Sequence, residues 1–153
     1  MTAFTDSLGF NQGTAAFPAN VTEVSKFEVQ LDFAKIVAAR AAAGATALAA
    51  ADSMEIIKLP AGSVVLSAGC QVTKVESTNT TGTFSLGTTG GTTNLYTNAL
   101  ANNALAYGIT NLANPVVYGT ADTIDLLINT AAPTDCVLNV FAIVANVKAS
   151  YVA

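Results

Sequence analysis

The side chains that usually move protons or hold metals are scarce in this chain of 153 residues. It has no histidine, so the commonest general base and the commonest metal ligand are both missing. A serine or cysteine nucleophile activated by imidazole is excluded with it. Carboxylates remain. Asp52 with Glu55, and Asp122 with Asp125, are each three residues apart. On a strand that spacing sends the two side chains to opposite faces, so neither pair converges locally. Asp122 follows Gly119-Thr-Ala and reads as a turn residue bonding its own backbone. Two aspartates alone do not make a calcium site, which needs more oxygen ligands. Cys70 and Cys136 permit one disulfide, but neither has a partner at metal-binding spacing. Both lie in apolar runs, where a free cysteine behaves as a small buried hydrophobe. The glycine pair Gly90-Gly91 lacks the spacing and the following lysine-bearing helix of a phosphate loop. These residue types point to no catalytic site, no metal, no cofactor and no small-molecule substrate.

The elements around these residues read as strands and turns. Residues 52–76 form the centre of the pattern, read as three short strands over 53–59, 63–66 and 70–76. Pro60-Ala61-Gly62 supplies a tight turn, and Ser67-Ala68-Gly69 marks a second break. Residues 27–33 alternate cleanly: Phe27, Val29, Leu31 and Phe33 on one face, Glu28, Gln30 and Asp32 on the other, a half-buried strand. Ala34 to Ala51 is alanine-rich; propensity favours a helix over residues 35–43 with Gly44 as its stop, the alternative being a loop between strands. Residues 83–86 alternate as a short strand closed by Gly87. Residues 94–114 read as a long surface excursion with short ordered pieces. Strands follow at 115–118 and 123–129, where Ile124, Leu126 and Ile128 share a face and Leu127 falls on the outer one. Residues 137–147 are almost continuously apolar, which suits a strand covered on both faces. About eight strands with turn signals every 8–12 residues predict an all-β antiparallel sandwich with at most one short helix.

Composition bears on partners. Only 10% of residues are charged, against about 25% in an ordinary soluble protein. Residues 77–121 contain no Asp, Glu, Lys or Arg at all. Such a neutral Thr/Asn surface can be desolvated against a partner without stripping water from a charge, which predicts an oligomer. Six scattered basic residues and a net charge of −4 make no patch for nucleic acid. The first residues lack the basic and apolar regions of an export leader, and the apolar run at 136–147 is too short to span a bilayer, so no membrane association is expected. The sequons at Asn20 and Asn79 read as chance matches in a Thr/Asn-rich chain.

Two units follow: an extended N-terminal arm over residues 1–25 and a β-sandwich domain over residues 26–153. The arm is irregular, punctuated by Gly9, Gly13 and Pro18, yet it carries Phe4, Leu8, Phe10, Phe17 and Val21. These are the candidate partner-binding residues; the alternative is that they pack on their own domain.

The run Asp52-x-x-Glu-Ile-Ile-Lys-Leu-Pro-Ala-Gly-Ser-Val-Val-Leu-x-x-Gly69, with Val72-Thr-x-Val-Glu76 and Phe84-Ser-Leu-Gly87, resembles small structural proteins of tailed bacteriophages. Tyr118-Gly-Thr-Ala-Asp-Thr-Ile-Asp-Leu126 and the last apolar strand are similar to the same group, above all to head decoration (cement) proteins. The resemblance spans about residues 27–147 and rests on strand-and-turn patterns. It implies a jelly-roll-like sandwich, a homotrimer, the major capsid protein as partner, and a place on the capsid exterior of a virion whose proteins are made in the host cytoplasm. The other reading is a tail or fibre module binding carbohydrate, for which Tyr96, Tyr107 and Tyr118 are the available aromatics.

Overall fold

The computed structural model describes residues 3–4, 24–88, 91–109 and 115–146. Ten strands and one helix occur among them: β1 (Ala3–Phe4), β2 (Val24–Asp32), α1 (Phe33–Ala42), β3 (Ser53–Leu59), β4 (Ser63–Lys74), β5 (Thr83–Gly87), β6 (Thr97–Ala101), β7 (Tyr107–Ile109), β8 (Val116–Tyr118), β9 (Asp122–Ile128) and β10 (Val137–Asn146). Two sheets form a sandwich. The first runs β1-β3-β9-β5-β6; the second runs β2-β10-β4-β7, with β8 also on β4. All pairings are antiparallel except β1 with β3. The chain changes sheet at nearly every connection, and β5–β6 alone joins consecutive strands that pair with each other. This is the expected jelly-roll-like all-β sandwich.

The interior follows from alternation. Phe27, Val29 and Leu31 of β2, Leu138, Val140, Ala142 and Val144 of β10, and Ile124, Leu126 and Ile128 of β9 all point between the sheets and are buried. Each such side chain contributes about 1.5–3 kcal/mol by leaving water. Strand β2 stops one residue earlier than its alternation suggests. Asp32 turns its carboxylate to the Lys35 N–H at 3.3 Å and caps α1. Phe33 opens the helix instead of closing the strand, yet it stays in the core, stacked on Phe84 with ring centroids 5.5 Å apart. Gly44 ends the helix at φ +64°, as read from the sequence. A methyl there meets nothing within 4 Å, so Gly44→Ala tests backbone conformation alone. It is expected to cost about 1 kcal/mol, or about 2–4 °C in a thermal melt; an unchanged melt would show the left-handed turn to be dispensable.

Two readings are corrected. The break placed at residues 67–69 is absent: β4 is one strand of twelve residues. Gly69 is there for room, because a Cβ would sit 2.5 Å from the Gly108 carbonyl oxygen, 2.7 Å from Ile109 and 3.0 Å from the Phe141 ring. The irregularities in β4 are instead two register shifts against β10, one at Leu66 and one at Thr73. Likewise β10 is not covered on both faces. It lies between β2 and β4, so both its edges are bonded, but the outer face leaves Phe141 half-buried and Ile143 exposed.

Candidate functional site

Of the arm residues named as partner-binding, Phe4 lies in β1, opposite Met54 of β3. Leu8, Phe10, Phe17 and Val21 lie outside the described residues. Strand β2 starts at Val24, two residues before the sandwich was expected to begin.

The carboxylate pairs behave locally as their spacing predicts. Asp122 is exposed and accepts the Thr123 N–H at 2.8 Å, while Asp52 accepts the Ala49 N–H at 2.9 Å. What spacing could not show is that the β3–β9 register sets Glu55 directly opposite Asp125. Asp125 is only 3% exposed. Both acids have interactions within the fold, and among the described residues no three His, Cys, Asp or Glu gather as a metal site.

The most developed polar cluster centres on Glu76, which was read as a strand end. Strand β4 stops at Lys74, and Glu76 turns inward to 2% exposure. One carboxylate oxygen accepts the N–H groups of Thr78 (3.2 Å) and Asn79 (3.3 Å) and the Thr134 hydroxyl. The other accepts the N–H groups of Thr134 (2.8 Å), Asp135 (3.0 Å) and Cys136 (3.3 Å). Burial alone would raise its pKa. The Thr134 hydroxyl and the N–H groups of Asp135, Thr134 and Asn79 outweigh burial and hold it well below the usual carboxylate range. Asp135 extends the cluster, taking Lys74 Nζ at 3.1 Å and the Ser77 N–H and hydroxyl at 2.8 and 2.9 Å. The Asn79 amide donates to Ala132 O at 2.7 Å, and the Asn102 amide to Asn79 O at 2.8 Å. Together these bonds tie the loop after β4 to the loop before β10. With its oxygens filled by six donors, Glu76 is a structural anion and no acid–base catalyst.

The remaining groups of chemical interest are also engaged. Cys70 and Cys136 are free and buried. Burial pushes the Cys70 thiol up to about 11, and burial with the Glu76 charge pushes Cys136 up to about 12, so neither is a thiolate at neutral pH. Tyr96 and Tyr118 are buried with their hydroxyls 2.7 Å apart. Burial raises both pKa values. Of these three tyrosines Tyr107 is open to solvent, while Tyr96 and Tyr118 face the interior and offer no exposed ring. A cavity of about 280 Å³ lies between α1 with its following loop (Val37, Arg40, Ala47, Leu48) and Asn79, Pro133 and Thr134. Its polar side chains already serve the fold: Arg40 donates to Thr46 O, Asn79 to Ala132 O and Thr134 to Glu76.

What the described surface does offer is an outward sheet face. On β4, β7, β8 and β10 the outward residues include Leu66, Tyr107, Ile109, Val117 and Ile143, all exposed. The strand pairs bring them together. Gly69 lies between Ile109 and Phe141, Gln71 beside Tyr107, and Val64 beside Val117. No helix among the described residues is long and apolar enough to cross a membrane.

The architecture is therefore a jelly-roll-like sandwich with a structural polar cluster and an apolar outer sheet face. No protein-family model and no curated protein matches the chain. Solved structures share the fold. Similarity extends to a chain in the capsid of Ralstonia phage GP4 (TM-score 0.62, 12% identity, 97% of this chain and 100% of that one). It extends also to the cyanophage Pam1 capsid asymmetric unit (0.51, 20%, 88% and 96%). The third is the acidic stable capsid of Helicobacter pylori bacteriophage KHP30 (0.51, 16%, 78% and 86%). In each case most of both chains is aligned, so the matched subunits are about the size of this one.

Proposed function

We propose that the chain is a non-enzymatic structural protein of a bacteriophage virion: a decoration, or cement, protein that binds the major capsid protein on the outer surface of the head as a homotrimer and stabilises it. The observation that carries this reading is the likeness in fold, over 78–97% of this chain, to chains of similar size in three phage capsid structures. The residues agree with it. The carboxylates and thiols that could do chemistry are engaged in the fold, and the neutral segment 77–121 suits contacts made without ion desolvation.

In this reading residues 1–25 are the anchor. Phe4, Leu8, Phe10, Phe17 and Val21 would seat in separate pockets of the capsid, each worth about 1–2 kcal/mol at a well-packed contact. Several are needed, because ordering the arm costs conformational entropy. The test adds purified protein to phage heads lacking it and reads co-sedimentation and the position of the added density. The full chain is expected to bind the exterior. A chain beginning at Val24 also gives up the β1–β3 pairing, so it is expected to melt somewhat lower, yet to fold, oligomerise and bind at least tenfold more weakly than that small loss explains. Full binding by the shortened chain would reject the arm and turn attention to residues 77–121. Absence of binding by the full chain would reject decoration itself.

A further inference from the structure

We propose that the outer face of β10, β4, β7 and β8 is the surface through which copies of this chain associate, an inference that takes up the oligomer in the reading above and gives it a location. The face is apolar and open. Tyr107 is 72% exposed and Val117 66%, with Leu66, Ile109 and Ile143 beside them. Single exposed hydrophobes are ordinary, but these belong to adjoining strands and are linked by register. Two local devices build the patch. The first of the two shifts in β4 leaves both Leu66 and Ser67 between the inward-facing Val65 and Ala68, so Leu66 is turned out. The missing side chain at Gly69 lets Ile109 and Phe141 close over the strand.

Charge decides the occupant. From Val64 to Thr73 of β4, from Asn139 to Ala145 of β10, and throughout β7 and β8, no residue is charged. The charges on this sheet lie at its margins: Lys26 and Glu28 of β2, across from Ile143 and Phe141, pair with each other at 2.7 Å, Asp32 ends β2, and Lys74 ends β4 against Asp135 at 3.1 Å. A charged partner seated on β4, β7 and β8 would lose hydration and find no counter-charge. The matching surface must be neutral and apolar, and a second copy presents one of the same extent. Copies of a chain with net charge −4 also repel least where they meet through an uncharged face. Three copies turned with this face toward a common axis would cover it on each.

The test is sedimentation of the purified full chain at 1–100 µM, without phage particles, so it reads association separately from decoration. Tyr107→Glu and Val117→Glu, singly and together, place acids on the face at positions too exposed to disturb the core. Asn98→Glu, on the exposed side of β6, is the control. The wild type and N98E are expected to sediment as one oligomer, and the double variant as a folded monomer whose association is weakened at least a hundredfold. A wild type that is monomeric throughout, or a double variant that assembles like the wild type, overturns the inference. If the wild type is monomeric but decorates heads, self-association and the homotrimer fail while the decoration role stands. If it assembles through this face but never binds heads, the proposed function fails and the inference stands.

Discussion

Replacing Glu76 by alanine is expected to lower stability by about 3–5 kcal/mol, enough to bring the thermal midpoint down by roughly 10 °C or more. The size comes from what is left behind. Five backbone N–H groups and one hydroxyl converge on a carboxylate that is nearly closed to water. A buried donor without an acceptor costs about 1–3 kcal/mol, and partial relaxation of the two loops would let water recover some of it. Glu76→Gln keeps the shape but puts an NH₂ group where donors already point, so it is expected to be nearly as damaging. Melting curves that match the wild type for both variants would mean that the two loops hold together without the carboxylate.

The same cluster sets a pH dependence of definite sign. The folded-state pKa of Glu76 is depressed, so on acidification the unfolded chain takes up the proton first. Its contribution is complete above the ordinary glutamate value of about 4.3 and declines as pH falls below it toward the depressed folded value. Wild-type stability should therefore decrease below about pH 4, and the decrease should be shallower in Glu76→Gln, where this group no longer titrates. Equal slopes in the two proteins would count against the carboxylate as the source.

The parts of this fold that were legible in the sequence are those in which local pattern and tertiary position agree. Residues 27–32 alternate because one face of β2 meets the other sheet, and Gly44 stops the helix through local backbone chemistry, whereas Asp32, read as the outer face of the strand, caps the helix instead. Gly69 was misread because a glycine that makes room for another strand looks in sequence like a glycine that breaks one. The answer lay in Gly108, Ile109 and Phe141, all distant along the chain. Glu76 was illegible for the same reason. Two of its donors come from the next three residues and four from 134–136, and only closure of the sandwich brings the two together. The following Ser-Thr-Asn, rich in turn formers, was the one available hint that N–H groups would gather there. The Tyr96–Tyr118 bond and the Glu55–Asp125 juxtaposition are likewise products of register, which alternation constrains only to within steps of two residues.

Gly87→Ala is expected to destabilise the fold by about 3 kcal/mol, a drop of roughly 6–12 °C, although it adds a single methyl group. Gly87 closes β5 with its Cα hydrogens turned to the outside of the sheet, opposite Asp125. The loop after it returns across that point: a Cβ would collide with the Thr92 carbonyl oxygen and lie 2.5 Å from the Thr93 carbonyl carbon. Both obstacles are backbone, so no rotamer change relieves them and the loop itself must lift. Its fastenings would be strained together, since Thr88 N–H bonds Thr92 O at 3.1 Å and Tyr96 N–H bonds Leu86 O at 2.8 Å. Tyr96 is wholly buried, so a displaced loop would also pull on its hydroxyl contact with Tyr118. Gly119→Ala is the matched control, for a methyl there meets nothing within 4 Å and should change stability by no more than about 0.5 kcal/mol. Hydrogen exchange at the Tyr96 amide supplies a local readout, expected to quicken in Gly87→Ala well beyond the global loss. If Gly87→Ala instead melts and exchanges like the Gly119 control, the loop is not seated on the sheet at Gly87.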